Sequence, residues 1–412
     1  MIKKLILIAA CISAAVFMTG CWSSREPKEL AIVDSSLYDK LPDGSYKVTA
    51  EIMNPAGIGG AGMLGSGSGN KSPFVTFSGT GPSIREAIKC ISLSREMKDF
   101  GQHNKARFLS ERFARDGIAP LLDLIARERF TDEKPHLIVV RSENPEKIYD
   151  CMLGISSMPG DYIENLHKHQ PVDSAHGVFV TTLEFMKAYL TEGREPVAGL
   201  ATIVESADRP SGNVGLTTGS GAGRSPVNYR IRYEGLAAFK DGRLVGFLDC
   251  KGAEAYNIIM GKAKAAFFTV PVGDGRSTVI DITESRCEIK SDIAGGKAVV
   301  KINVKASGNV SEEGSGIDIT TSEGLKSIRR ALEKQIEEQL SKTVNKVQNE
   351  LASDIFGFGE FLHIQHPDKW RGIKDRWNDD YFPFAEVSVS VKTNIMTTGK
   401  IDKPISLPGE HK

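Results

Sequence analysis

"GLKSIRRALEKQIEEQLSKTVNKVQNEL", Gly324 to Leu351, decides how this 412-residue chain folds. Leu325, Ile328, Leu332, Ile336, Leu340, Val344, Val347 and Leu351 recur with a period of about 3.7 residues, nearer a straight α-helix than the 3.5 of a heptad coiled coil. The spacing predicts one long amphipathic helix lying on a sheet rather than zipped to a partner helix. Thr320, three residues before Glu323, is expected to open it with a capping box. The flanking residues supply the sheet. "KAVVKINVKA" (297–306) puts Ala298, Val300, Ile302, Val304 and Ala306 on one face. "EVSVSVKTNI" (386–395) does the same with Val387, Val389, Val391 and Ile395. Such alternation marks half-buried strands. Strands on both sides of one long helix point to an α+β fold, with helices covering mostly antiparallel or mixed sheets.

Upstream, "NYRIRYEG" (228–235) alternates in the same way, and so does "YKVTAEI" (46–52). The latter sets Tyr46, Val48, Ala50 and Ile52 against Lys47, Thr49 and Glu51, and the second set is expected to face water. "FVTF" (74–77), "NKARFLS" (104–110), "HLIVVRS" (136–142) and "VAGLATIVE" (197–205) read as strands. "SIREAIKCISL" (83–93), "IAPLLDLIARERF" (118–130) and the segments 161–169 and 181–190 read as helices. Two Gly/Ser-rich stretches lack the apolar content to pack, 56–70 and 211–226. The first is expected to be a loop inside a domain and the second a linker. The expected division is therefore two to three domains. Residues 21–210 form an α+β region with two subdomains, 227–402 a C-terminal α+β domain, and 403–412 a tail.

Hydrophobic residues make up 40% and charged residues 25%, so most of the chain should fold. Lys+Arg and Asp+Glu both number 52, which gives no basic field for nucleic acid. The start of the chain is different in kind. Lys3 and Lys4 precede an apolar run from Leu5 to Phe17, shorter than the roughly 20 residues of a comfortable membrane span. That is the n-region and h-region of a secretory signal peptide, residues 1–20. Met18-Thr19-Gly20-Cys21 then gives the lipobox arrangement of bacterial lipoproteins. A thiol can take a diacylglyceryl group as a thioether, and Gly20 gives a peptidase access to the bond before it. Cys21 is the expected lipid attachment point, and two acyl chains would hold the chain stably on a membrane. The competing reading is an ordinary signal peptide with an incidental cysteine. Cys90, Cys151, Cys250 and Cys287 have wide, irregular spacing and no C-x-x-C. They are read either as buried free thiols or as containing a disulfide. Cys287 shares strand parity with Ile289 and Ile293.

Motifs for catalysis or cofactors do not hold up. Gly57, Gly59 and Gly62 fit G-x-G-x-x-G, but more glycine follows where a dinucleotide site needs a helix. "GSGSGNKS" (65–72) has Asn70 before its lysine and Pro73 after it, so it fails as a phosphate loop. His167, His169 and His176 with Asp173, and His363 and His366 with Asp368, lack zinc spacing and read as surface residues. There is no G-x-S-x-G elbow. No cofactor is expected, and a non-enzyme is the favoured class.

Several segments together resemble the Ger(x)C family, the lipoprotein C subunits of GerA-type nutrient germinant receptors of spores. Cys21-Trp22, Arg25-Glu26 and Glu29-Leu30-Ala31 match the family's mature start, with Ser23 where Asp is usual. The block 83–118, with His103 and Gly117, is similar, as is the strand-turn-strand "GLAAFKDGRLVGFL" (235–248), which carries an Asp241-Gly242 turn. Asp354, Phe356-Gly357-Phe358-Gly359, Pro367, Trp370, Trp377 and Pro383 stand in the family's order. The resemblance implies an α+β protein of three domains and no catalytic residues. It implies a lipid-anchored place on the outer face of the cytoplasmic (inner spore) membrane, with A and polytopic B subunits as partners. Direct capture of a small germinant by this chain is the alternative, and a cell-wall enzyme a more distant one. Phe356, Phe358, Trp370 and Trp377 are expected to be core or hinge packing.

Overall fold

In a computed structural model, the chain is described for residues 2, 4, 30–54, 72–94, 98–128, 132–151, 156–173, 175–205, 229–263, 265–271, 276–314, 317, 319 and 321–397. The expected signal peptide, Cys21, both Gly/Ser-rich stretches and the tail lie outside these residues or almost wholly so.

Nine strands form the first sheet: β1 (Leu30–Lys40), β2 (Tyr46–Met53), β3 (Phe74–Gly81), β4 (Lys98–Phe100), β5 (Ala106–Ser110), β6 (His136–Arg141), β7 (Val197–Glu205), β8 (Tyr229–Lys240) and β9 (Arg243–Leu248). Their order is β3-β2-β1-β5-β6-β7-β8-β9, with β4 beside the start of β1. The centre, β1-β5-β6-β7, is parallel, and both flanks are antiparallel. Parallel strands need crossovers, which cover both faces. The crossovers carry the helices α1 (Ile84–Leu93), α2 (Glu111–Asp116), α3 (Ala119–Arg127), α4 (Pro159–Asp173) and α5 (Thr182–Leu190). Adjacent residues of a central strand accordingly enter different cores. Phe108 and Ile138 join a small cluster with Leu37, Ile148, Ile163 and Tyr233. Leu109 and Val139 join the main core on the other face.

The second sheet runs β10 (Ala266–Pro271), β11 (Ser277–Ala294), β12 (Lys297–Glu313), β13 (Glu386–Thr397), antiparallel except for the β12–β13 pair. Helix α6 (Cys250–Ile259) leads into it, and α7 (Ser322–Lys346) packs on β10 and β13 as the periodicity predicts. Its stripe is buried from Ile328 to Val344 and continues through a π-turn at Val347–Leu351. The N-cap is Thr321, whose hydroxyl accepts from Gly324 N, one residue later than expected. Short helices α8 (Phe358–Gln365) and α9 (Pro367–Arg371) return the chain to β13. The mixed sheets with helices agree with the α+β expectation.

Three expectations change. Strand β8 pairs with β7 and β9 with β8, so residues 229–248 complete the first sheet. The strands on either side of the expected linker 211–226, β7 and β8, are therefore neighbours in one sheet. One sheet also holds strands from 30 to 205, so the expected split of 21–210 has no counterpart in strand pairing. Finally, Thr49 and Glu51 are buried rather than solvated, since the crossover elements 145–150 and α4 cover that face of β2. The β8–β9 turn is as read: Asp241 and Gly242 have φ of 50° and 73°, the left-handed pair a tight hairpin requires.

Candidate functional site

The aromatic-rich segment after α7 forms a bracket between the two sheets. Asp354 is fully buried, and its carboxylate accepts from Gly357 N at 2.9 Å, Phe358 N at 3.0 Å and Gly359 N at 2.8 Å. Phe358 N and Gly359 N are the first amides of α8, which would otherwise lack partners, and Gly357 N at its N-cap also meets the Asp354 carbonyl at 3.3 Å. Trp377 Nε1 donates to the same carboxylate at 2.9 Å. Burial still outweighs these donors and raises the Asp354 carboxyl to about 6. Around it Phe356, Phe358, Trp370, Trp377 and Phe382 pack ring on ring, all buried. That is the core packing expected of them.

Both sheets bind this bracket. The turn before β7 meets it backbone to backbone, with Glu360 N donating to Gly193 O and Glu195 N to Asp354 O, each at 2.9 Å. A Cβ on Gly193 would lie 2.4 Å from the Gly359 carbonyl carbon, so only glycine allows the approach. Trp370 Nε1 donates to Glu192, Asn378 to Glu195, and Ser353 to Phe239 O. Arg194 pairs with Glu360 at 2.8 Å. From the other side, Gln365 accepts from Ser291 N and donates to Ile289 O, while Lys369 pairs with Asp292. Each of these couples α8 or α9 to β11.

A cavity of about 530 Å³ lies between α1, α3 and the β1–β2 strands. Val33, Val48, Ala50, Ile91 and Ile125 make much of its wall, and Ser36, Asn104 and Arg107 add polar groups. Arg107 is 1% exposed; its guanidinium donates to Thr182 Oγ1 at 2.7 Å and to Asp132 O at 2.6 Å.

On the opposite face of β1 and β2 a buried polar cluster joins the start of α4. Lys105 Nζ bridges Asp34, at 2.7 Å, and Asp161. Asp34 also accepts from Asp161 N. Gly160 packs so close to Asp34 that a Cβ there would meet its carboxylate at 2.2 Å. Ser35 donates to Glu51 Oε2, and the Gly160 backbone N–H also bears on this carboxyl. Burial, reinforced by the charge on Asp34, raises the Glu51 carboxyl to about 8. Asp34 and Glu51 are buried within the cluster, whereas Lys105 and Asp161 remain partly exposed at its edge.

The histidines singled out in the sequence do not converge. The His167 ring lies tilted against His136 with centroids 4.6 Å apart, His169 is exposed, and His176 faces Glu254. His363 stacks on Trp370, while His366 turns to Asp292. The cysteines Cys90, Cys151, Cys250 and Cys287 are free thiols; Cys90 is exposed and the others half-buried. Sequence reasoning missed Arg107, Asp34 and Glu51. The usable signal was a charge in the middle of an otherwise apolar strand, as in "ARFLS".

Comparison with known proteins accounts for both halves. Residues 23–203 match the model described as spore germination protein N-terminal domain, and 234–399 match spore germination B3/GerAC like, C-terminal. Spore germination protein KC of Bacillus subtilis (strain 168) is 22% identical over 408 residues, covering 98% of each chain. Spore germination protein B3 of the same organism is 22% identical, covering 94% of this chain and 96% of that one. The crystal structure of the GerBC protein superposes with a TM-score of 0.53 at 18% identity, over 87% of this chain and 96% of that chain. That likeness speaks for the fold.

Proposed function

Since the chain belongs to the spore germination family of GerAC-like proteins, we propose that it is the non-catalytic, lipid-anchored C subunit of a nutrient germinant receptor. In this reading Cys21 carries a diacylglyceryl group. It tethers the folded chain to the outer face of the cytoplasmic membrane, which becomes the inner spore membrane. There it assembles with A and polytopic B subunits. The observation that carries the reading is the match to germination proteins over nearly the full length of both partners. The two sheets, clamped by the Asp354 bracket, suit a body that transmits contact rather than one that performs chemistry. Direct capture of a small germinant is a second reading, favoured by the cavity beside Arg107.

Fractionation tests the anchor and the assembly together. The intact chain should sediment with membranes and co-purify with a polytopic receptor subunit. Cys21→Ala should move it to the soluble fraction. A chain that stays membrane-bound after Cys21→Ala, or one that never co-purifies with such a subunit, overturns the proposal.

A further inference from the structure

We propose that the cavity between α1, α3 and the β1–β2 strands binds a small aliphatic carboxylic acid carrying a hydrogen-bond donor next to its carboxylate. Its volume, about 530 Å³, lies within the range of small-molecule sites, and its wall is mainly apolar. The polar groups in that wall define the rest of the ligand. Arg107 is a buried cation whose described hydrogen-bond partners, the Thr182 hydroxyl, the Asp132 carbonyl and the Tyr38 hydroxyl, are neutral oxygens. The Asp132 and Glu133 carboxylates act on it only at longer range, without an ion pair among the described residues. A buried guanidinium without a carboxylate is costly, and a ligand carboxylate answers it in the planar, two-pronged geometry the group favours. Asn104 supplies the second element. Its Nδ2 is committed to Ser36 Oγ, and its buried Oδ1 has no donor among the described residues. A ligand N–H or O–H beside the carboxylate would satisfy it. The aliphatic body then lies against Val33, Ala50 and Ile91. At the mouth, Arg85 is held by Glu128, and Glu86 and Lys89 stand beside them on α1.

The test uses the full chain and three probes of one shape: L-leucine, 4-methylpentanoate and L-leucinamide. Titration calorimetry should find saturable binding of the two acids below ~10 mM, with L-leucine tighter, and leucinamide at least about ten-fold weaker. Ile88→Trp, at a half-buried position on the cavity wall, should abolish binding. Lys89→Glu, at an exposed position, should weaken the anionic 4-methylpentanoate several-fold, leave the cationic leucinamide no weaker and keep the wild-type Tm. The proposal fails if the folded chain binds neither acid saturably. It fails equally if acid and amide bind alike, or if a folded Ile88→Trp chain binds as before. It rests on the geometry of the cavity alone, so a negative result here leaves the germination role standing.

Discussion

Asp354 holds three backbone amides and an indole at once, shielded from water. Asp354→Ala leaves three buried donors, Phe358 N, Gly359 N and Trp377 Nε1, without an acceptor, so it should cost about 3–5 kcal/mol in urea unfolding, and Asp354→Asn distinctly less. Titration of the buried acids gives a second expectation. Glu51 is raised to about 8 and Glu195 to about 7, in each case chiefly by burial. A carboxyl whose folded pKa is raised contributes stability in full below its unfolded value and loses it as pH rises through the folded one. Buried His136, lowered to about 4, acts in the other direction, but only below about pH 6.5. The Tm should therefore fall between pH 6.5 and 9, and Glu51→Gln should remove most of that fall. A wild-type Tm flat across this range would contradict the assignment. None of these roles was legible in the sequence. A carboxylate in an alternating strand reads as solvent-facing, and only the tertiary cover over β2 makes it otherwise.

At the scale of elements, legibility followed how local the signal was. Helix α7, the β12 strand and the β8–β9 hairpin were read correctly because each carries its own period or turn chemistry over many residues. Strand β1 escaped because Asp34-Ser35-Ser36 interrupts its apolar run, and the partners that satisfy these groups come from far along the chain. Helix α6 escaped because it is buried nearly all round and shows no polar face. Strand order was out of reach, since parallel pairing depends on contacts distant in sequence. One device emerged only in three dimensions. Glu333 and Glu337 of α7 accept the edge amides Thr393 N and Val391 N at 2.7 and 2.9 Å. They occupy hydrogen-bonding groups of β13 that would otherwise invite another strand. The double variant Glu333→Ala, Glu337→Ala should lose about 2 kcal/mol or more of stability and self-associate, as read by unfolding and light scattering. A variant that remains monomeric at wild-type stability would show that this edge needs no such cover.

At the scale of the whole molecule, one apolar core runs from the first sheet into the second, and the bracket from Asp354 to Phe382 ties them by backbone and side-chain bonds. Many of the family-like residues of the C-terminal half, from Asp354 to Trp377, belong to that bracket, which explains why their order was recognisable in sequence while their purpose was not. Such a body suits a subunit that passes on contact between partners held by a membrane. The most direct test is made on spores. The gene for this chain is deleted and then restored either intact or as Cys21→Ala, and nutrient-triggered release of dipicolinic acid is followed, with dodecylamine as a receptor-independent control. The predicted result is loss of the response to one nutrient class, full rescue by the intact chain, impaired rescue by Cys21→Ala and an unchanged dodecylamine response. Persistence of every nutrient response after deletion, with paralogous receptors also removed, would contradict a role in germinant reception.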